Sequence, residues 1–178
     1  QTICNHGTAT FSIALTGTVS NWVAPGAVTS GSTVTAFVSP TVAITGVSSI
    51  CSGSSTTLTA SGSVSSYTWT AGPTTATNVV SPTANTTYSV VGTNTLGCVS
   101  NMAIKTVTVN ALPTVSVTSG AICTGSSYTM VPTGASTYTF SSGSAVVSPT
   151  STSSYSVTGT STAGCVSSLA TVATITVN

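Results

Sequence analysis

Charged side chains are almost absent from this chain of 178 residues, which contains one lysine and no arginine, aspartate or glutamate. In a typical soluble domain about a quarter of the residues are charged. Without a carboxylate, the chain lacks the acid pair of a glycosidase, an acid to orient a catalytic histidine, and the oxygen ligands that calcium and magnesium prefer. With one cation it has no phosphate clamp and no basic stripe for nucleic acid. The composition therefore predicts a protein that is not an enzyme, uses no cofactor or metal, and binds no nucleic acid.

Long apolar runs are missing as well, because serine, threonine, glycine or proline interrupts every stretch, and we expect no membrane-spanning helix. What the chain does contain is 33 serines and 40 threonines, together with many valines. Threonine and valine are β-branched and suit a pleated surface, whereas the usual exposed helix formers are nearly absent. The composition therefore predicts an all-β fold.

An internal repeat divides most of the chain into a first repeat, residues 40–110, and a second repeat, residues 111–178. The matched segments are Pro-Thr-Val at 40–42 and 113–115, Ile-Cys at 50–51 and 122–123, Tyr-Thr-Trp at 67–69 and Tyr-Thr-Phe at 138–140, Ser-Pro-Thr at 81–83 and 148–150, Tyr-Ser-Val at 88–90 and 155–157, and Gly-Cys-Val-Ser at 97–100 and 164–167. The second repeat is four residues shorter after its Tyr-Thr-Phe segment. A deletion of this kind is typical of a loop or an edge strand.

Each repeat contains six short runs in which apolar and polar residues alternate, and these runs are bounded by Gly, Ser, Pro and Asn. These runs are 41–46, 55–61, 65–71, 76–81, 86–92 and 103–109 in the first repeat, and 114–118, 127–131, 136–141, 145–148, 153–159 and 170–177 in the second. This spacing predicts tandem immunoglobulin-like β-sandwiches. The aromatic residues expected in their cores are Trp69, Tyr88, Phe140 and Tyr155.

Residues 1–39 look like an incomplete third copy, since Ile3-Cys4 matches Ile50-Cys51 but no Gly-Cys segment precedes Pro40. The alternating apolar residues expected to form its strands are Phe11, Ile13, Leu15, Val34, Ala36 and Val38. So short a piece of sheet rarely stabilises itself. We therefore predict an immunoglobulin-like half-domain or strand-exchange segment, completed by the neighbouring domain or by another molecule.

Each complete repeat contains two of the five cysteines, 47 positions apart in the first and 42 in the second. This spacing favours two disulfides within the repeats, Cys51–Cys98 and Cys123–Cys165, over the alternative of buried reduced thiols. Cys4 is left over, either as an unpaired thiol or as the partner of a cysteine in another chain or in a processed segment. Cys4 and His6 alone would not complete a metal site, which needs further ligands.

The segments Ile-Cys-Ser-Gly-Ser-Ser, Tyr-Thr-Trp, Ser-Pro-Thr, Thr-Tyr-Ser-Val and Gly-Cys follow one another in residues 50–98. In this order, residues 40–178 resemble the immunoglobulin-like repeats of secreted and cell-surface proteins of Bacteroidetes, and residues 1–39 resemble them weakly. Those repeats occur in adhesins, gliding-motility proteins and substrates of type IX secretion, and they usually contain acidic residues that are missing here. The resemblance implies a secreted or cell-surface location and supplies no catalytic residue.

Together these features predict a structural subunit of an extracellular bacterial fibre or surface filament. Its partner would be another copy of itself, joined head to tail by β-strand complementation through residues 1–39. The alternative is a spacer or ligand-presenting part of a cell-surface adhesin, with surface glycans stacking on Tyr67, Trp69 and Tyr88. The sequence leaves open the filament symmetry, the ligand of an adhesin, the pairing of Cys4, glycosylation and the existence of further domains.

Overall fold

The computed structural model of this chain describes residues 3–5 and 36–178. Fifteen strands and no helix occur within these two ranges, so the prediction of an all-β fold is confirmed. The strands are short and are separated by turns in which glycine and serine are common, as the alternating runs of the sequence predicted. Hydroxyl-bearing and β-branched side chains thus form strands throughout the described chain.

The first repeat forms two sheets. Its strands are β3 (Val42–Thr45), β4 (Ser49–Cys51), β5 (Thr56–Gly62), β6 (Ser66–Trp69), β7 (Thr77–Val80), β8 (Thr86–Thr93) and β9 (Ala103–Asn110). One sheet has the order β3-β5-β7 and the other the order β4-β9-β8-β6. All six predicted runs of this repeat are therefore strands, and β4 is an addition that the sequence did not reveal.

The second repeat has a similar plan, and the strands of one of its two sheets are shorter. They are β10 (Gly120–Ile122), β11 (Tyr128–Thr129), β12 (Thr137–Phe140), β13 (Val146–Val147), β14 (Ser153–Thr160) and β15 (Thr171–Val177). Its sheets have the orders β11-β13 and β10-β15-β14-β12. The predicted strand 114–118 is reduced to a single bridge between Ser116 and Thr133. Beside that bridge, the carbonyl of Val115 accepts a hydrogen bond from the side chain of Thr171 at 2.7 Å.

Two strands are described near the start of the chain, β1 (Ile3–Asn5) and β2 (Ala36–Val38), and they pair in parallel. The first strand of the second repeat pairs in parallel with the last in the same way, β10 with β15. Of the residues predicted for assembly strands, Ala36 and Val38 lie on β2. The others, which are Phe11, Ile13, Leu15 and Val34, lie outside the described residues.

The chain folds into two compact units whose boundaries differ from those of the repeats. Among the described residues, unit 1 takes its members from Gln1–Ser48 and Ser55–Thr108, whereas unit 2 consists of Ser49–Ser54 and Val109–Asn178. A short segment of the first repeat therefore belongs to the same compact unit as the second repeat. Whether residues 1–39 form a separate domain stays a prediction.

The core of unit 2 is built from alternate residues of its strands together with Val115 and Met130, which lie outside the named strands. Its buried members are Val115, Met130, Val147, Val157, Ala173 and Ile175, and the half-buried side chains packed against them include Tyr128, Tyr138, Phe140 and Tyr155. In unit 1, Leu58, Trp69, Val90 and Val107 are each at most 3% exposed. Tyr88 is half-buried. Because strand side chains alternate between faces, each of these strands keeps one face for the interior.

Hydroxyl groups take the place of charged pairs on the outer faces of the sheets. Thr87 and Thr106 are opposite one another on β8 and β9, and their hydroxyl oxygens are 2.8 Å apart. In the second repeat the hydroxyls of Ser154 and Thr174, opposite on β14 and β15, are 3.1 Å apart. Cross-strand hydroxyl pairs of this kind stabilise a sheet without using charge.

Candidate functional site

A disulfide bond joins Cys51 of the first repeat to Cys165 of the second. Their Cα atoms are 5.6 Å apart and 114 positions separate them in sequence. Both cysteines belong to unit 2, because the segment Ser49–Ser54 is part of that unit. The bond thus joins the Ile-Cys segment of one repeat to the Gly-Cys segment of the next.

The predicted pairs Cys51–Cys98 and Cys123–Cys165 are wrong. Cys51 and Cys165 are bonded to each other, Cys98 is also in a disulfide, and Cys123 is a free, exposed thiol. The prediction rested on the spacing of the two cysteines within each repeat. The pairing instead follows the compact units, since Cys51 lies in a different unit from Cys98. Cys4 lies outside the residues whose side chains the structure describes.

The first half of the site is a tight turn after β4, which we call the Ile-Cys turn of the first repeat, residues 50–55. The N–H of Ser54 donates to the carbonyl of Cys51 at 3.0 Å. Gly53 has a φ of 82°, a left-handed conformation that favours glycine. The N–H of Ser52 donates to the carbonyl of Asn110, at the end of β9, at 2.8 Å. This turn is therefore held at both ends by backbone hydrogen bonds.

The Ile-Cys turn of the second repeat, residues 122–127, has the same geometry. The N–H of Ser126 donates to the carbonyl of Cys123 at 3.0 Å, and Gly125 has a φ of 85°. The N–H of Thr124 donates to the carbonyl of Asn178, at the end of the last strand, at 3.2 Å. Cys123 thus has the same backbone setting as Cys51 but carries no bond to a second cysteine.

The second half of the site is the Gly-Cys turn, found at residues 94–100 in the first repeat. The N–H of Gly97 donates to the carbonyl of Asn94, and the N–H of Asn94 donates to the carbonyl of Cys98, each at 3.0 Å. The side-chain oxygen of Asn94 also accepts from the N–H of Cys98 at 2.9 Å. Asparagine side chains commonly close turns in this way.

The Gly-Cys turn of the second repeat, residues 161–167, reproduces these contacts with serine in place of asparagine. The N–H of Ser161 donates to the carbonyl of Cys165 at 2.9 Å, and the N–H of Cys165 donates to the Ser161 hydroxyl at 3.2 Å. Cys98 and Cys165 are both buried, at 0% and 1% exposure. Two unlike side chains therefore hold the two cysteines in matching positions.

A serine anchors each Gly-Cys turn to the neighbouring strand, buried in the first repeat and half-buried in the second. The hydroxyl of Ser100, 5% exposed, accepts from the N–H of Gly92 at 2.9 Å and donates to the carbonyl of Asn101 at 2.8 Å. Ser167 accepts from the N–H of Gly159 at 3.2 Å. Since Gly92 and Gly159 lie on β8 and β14, both turns are fixed to a central strand of their sheet.

The aromatic side chains considered for glycan stacking do not form an open platform. Trp69 is 3% exposed, and its indole N–H donates to the carbonyl of Thr75 at 3.0 Å. Tyr67 and Tyr88 are half-buried. Lys105 is half-buried too and stands opposite Tyr88 on β9, which has β4 and β8 as its neighbours. Its strand therefore has a neighbour on each side and is not an edge strand of the sheet.

An open cavity with a volume of about 230 Å³ lies in unit 2. Its lining consists of Pro113, Thr114, Val115, Ser167, Ser168, Leu169 and Thr171. These side chains are hydroxylated or apolar, so the cavity has no charged group to bind an ionic ligand. Elsewhere in the described residues, no three side chains of the His, Cys, Asp and Glu types come together as a metal site would require.

In the part of the chain that the structure describes, we find no helix of the length and apolar character needed to cross a membrane. The disulfides are typical of proteins that fold in an oxidising compartment, such as secreted and cell-surface proteins. They are consistent with an extracellular domain.

Comparison with known proteins adds little to this description. No protein-family model matches the chain, and no curated protein matches it. Among solved structures, the chain is similar to Clostridium thermocellum CbhA fibronectin(III)-like modules at 15% identity and a TM-score of 0.40, over 77% of this chain and 94% of the other. The fold assignment therefore rests on the strands and sheets described above.

The sequence located all four described cysteines of the site but not how they connect. Two features are shared by the repeats and do not distinguish the possible pairings. Ile-Cys and Gly-Cys segments have nearly identical flanks in both repeats, so pairing across repeats suits the sequence as well as pairing within them. Both repeats also end on Thr-Val-Asn, and the carbonyls of Asn110 and Asn178 each accept a hydrogen bond from the Ile-Cys turn of their own repeat.

Proposed function

We propose that this chain is a structural subunit of an extracellular bacterial fibre or surface filament, in which copies join head to tail by sharing strands. The observation that supports the proposal best is the composition of unit 2, which includes Ser49–Ser54 from the first repeat beside the second repeat. The chain thus already builds a compact unit from segments of two successive repeats. If one chain shared a segment with the next chain in this way, the assembly would grow head to tail without closing into a ring.

Residues 1–39 are the part of the chain that would be completed by a neighbouring subunit. They begin with an Ile-Cys segment like those of both repeats, but they lack a Gly-Cys segment. Strands β1 and β2 pair in parallel, as the first and last strands of the second repeat do. A sheet with an unpaired edge strand accepts an added strand through main-chain hydrogen bonds. The neighbouring subunit would supply the strands that are missing.

The surface favours association over repulsion. With one lysine and no acidic residue, two copies approach one another with little Coulomb repulsion. Large apolar side chains are also exposed, among them Val131 at 69%, Ile104 at 66% and Leu169 at 79%. A polymer would bury part of this surface, which a free monomer leaves in water.

Electron microscopy of the purified full-length chain, before and after deletion of residues 1–39, tests the proposal. We expect filaments from the full chain and folded, soluble monomers after the deletion. A milder variant, Ala36→Pro, removes a backbone donor from β2 and should also stop assembly. Ala36→Thr keeps that donor and serves as its control. Filaments that persist in both the deletion and Ala36→Pro would overturn the mechanism.

The same experiment decides the alternative function. A full-length chain that stays a monodisperse monomer at high concentration would support a spacer or ligand-presenting part of a cell-surface adhesin. Glycan binding by that adhesin would need an exposed aromatic side chain. Trp69 does not meet this need, being 3% exposed, whereas Tyr67 and Tyr88 are half-buried.

A further inference from the structure

We propose that the outer faces of the two four-stranded sheets, β4-β9-β8-β6 and β10-β15-β14-β12, are surfaces by which copies of this chain pack side by side. The outer face of a sheet is the one turned away from the buried residues of its own unit. This contact goes beyond the proposed function, because it joins sheet faces and needs no exchange of strands. What identifies these faces is a set of three exposed apolar residues in each repeat.

Each repeat exposes three large apolar side chains just after its Gly-Cys segment, which we call its apolar triad. They are Val99, Met102 and Ile104 in the first repeat, and Val166, Leu169 and Val172 in the second, all between 45% and 79% exposed. Single exposed apolar residues are normal on a protein surface, whereas a group of them marks an interaction surface. Here the same group occurs at the matching place of both repeats.

Strand register places the second triad on the outer face. Ile175 of β15 is fully buried, and Val172, three positions before it, therefore lies on the opposite face of the strand. Val172 is opposite Ser156 of β14, and Val166 is bridged to Thr160 of the same strand. Ser156 and Thr160 are four positions apart, so both valines lie on one face of the sheet.

The first triad has the same placement. Val107 of β9 is fully buried, and Ile104 lies three positions before it, on the outer face. Ile104 is opposite Ser89 of β8, and Val99 is bridged to Thr93, four positions further along that strand. Both four-stranded sheets therefore present an apolar group to solvent on the outer face.

The hydroxyl groups beside the triads can be covered without loss of hydrogen bonds. The hydroxyl oxygen of Ser89, opposite Ile104, is 2.8 Å from that of Thr70. The hydroxyl pairs Thr87–Thr106 and Ser154–Thr174 lie on the same outer faces. Burying a polar group is costly chiefly when it has no hydrogen-bond partner. A partner surface can therefore cover these faces at little cost in free energy.

The absence of charge determines which partner fits. Lys105, the single lysine of the chain, is two positions from the buried Val107 and so lies on the inner face of β9. The strands of both sheets thus carry no charged side chain on their outer faces. An ordinary protein surface contains many charges, and this face would remove them from water without supplying an opposite charge. The matching face of a second copy has no such charge to bury.

One outer face is smaller than a stable interface requires. Strand β14 has eight residues, and four strands at the usual spacings form a face of about 400 Å². A standard interface buries about 800 Å² on each partner. Two separate copies should therefore associate weakly through one pair of faces, and an assembly that presents many such faces should associate more strongly.

Light scattering and electron microscopy of the full-length chain test the proposal. The double variant Ile104→Lys with Val172→Lys places a positive charge on the outer face of each four-stranded sheet. We expect the unchanged chain to associate side by side at low and high salt alike. The double variant should need a concentration higher by at least about tenfold, because the contact would bury like charges. Both positions are more than half exposed, so the variant should keep its fold, which far-UV circular dichroism checks.

A second double variant, Val79→Lys with Val131→Lys, is the matched control. It adds the same charge at two positions that are each 69% exposed and lie outside the triads, and it should associate like the unchanged chain. Equal behaviour of the two double variants, or an unchanged chain that does not associate side by side, would overturn the proposal. Single filaments without lateral contacts would leave the proposed function standing and refute the inference. Lateral dimers without filaments, lost only in the triad variant, would support the inference and contradict the proposed function.

Discussion

The indole nitrogen of Trp69 donates a hydrogen bond to the backbone carbonyl of Thr75 across 3.0 Å. Thr75 lies in the loop that precedes β7, and the second repeat is four residues shorter in the corresponding region and has Phe140 in place of the tryptophan. The longer loop and the tryptophan therefore belong together, because a buried indole N–H needs an acceptor. This relationship leads to the first prediction.

Trp69→Phe should destabilise unit 1 by about 1–3 kcal/mol, because it removes the hydrogen bond to Thr75 and part of a side chain that is 3% exposed. Urea unfolding followed by far-UV circular dichroism measures the change. Tyr67→Phe, at a half-buried position of the same strand, is the control and should change stability by less than about 0.5 kcal/mol. Equal effects from the two variants would contradict the role given to the indole.

Gly134→Ala should be far more harmful than Gly143→Ala. Both glycines have left-handed backbones, with φ values of 95° and 76°, so both variants pay about 1–2 kcal/mol of strain. A Cβ at position 134 would also lie against the carbonyl oxygen of Thr114, whereas a Cβ at position 143 meets nothing within 4 Å. The clash should add about 1–3 kcal/mol for Gly134→Ala. Thermal unfolding of the two variants side by side isolates this contact, and matching melting temperatures would refute it.

Cys51→Ser should lower the free energy of unfolding by about 5 kcal/mol on the chain-entropy account of a disulfide that closes so long a loop. Cys123→Ser, which removes a free and exposed thiol, should change it by less than about 0.5 kcal/mol in the monomer. Guanidinium unfolding of both variants under non-reducing conditions gives the comparison. A peptide map that linked Cys51 to Cys98 would show the described connection to be wrong.

Folding stability should depend little on acid or salt. Acid unfolding comes mainly from protonation of carboxylates that are paired in the native state, and this chain has no aspartate or glutamate. The melting temperature should therefore stay nearly constant as the pH falls from neutral to about 3, apart from any contribution of the single histidine. It should also stay nearly constant from low to high salt.

A variant with an added ion pair is the control for this prediction. Thr87→Asp combined with Thr106→Lys places opposite charges on two residues that face each other across β8 and β9. The double variant should become sensitive to salt, and it should lose stability when the new carboxylate is protonated, because a paired carboxylate favours its charged form. Differential scanning calorimetry of both proteins measures the contrast. Strong acid or salt dependence in the unchanged chain would contradict the prediction.

Alternation of apolar and hydroxylated residues was enough to predict most of the strands. The run 55–61 is β5 (Thr56–Gly62), and the run 86–92 is β8 (Thr86–Thr93). Strands β4 and β10 escaped prediction because each has three residues, too few to show alternation. Each is recognised instead by its pairing with the last strand of a repeat, which is a contact distant in sequence.

The connection of the cysteines could not be predicted because it depends on which compact unit receives the segment Ser49–Ser54. The spacing of the cysteines within a repeat is the same whether an Ile-Cys turn bonds to the Gly-Cys turn of its own repeat or to that of the next repeat. The choice is made by tertiary packing, which places Cys51 and Cys165 in one unit and leaves Cys98 in the other. Local sequence does not encode that choice.

The bond between Cys51 and Cys165 also determines how tension would pass through the molecule. A force applied to the chain on either side of these two cysteines would be carried by the covalent bond, and the 114 positions between them would bear none of it. Fully extended, that stretch would be about 400 Å long, so its release would lengthen the chain by many times the size of a folded domain. The disulfide therefore keeps residues 52–164 from extending under tension, whatever the stability of the sheets that they form.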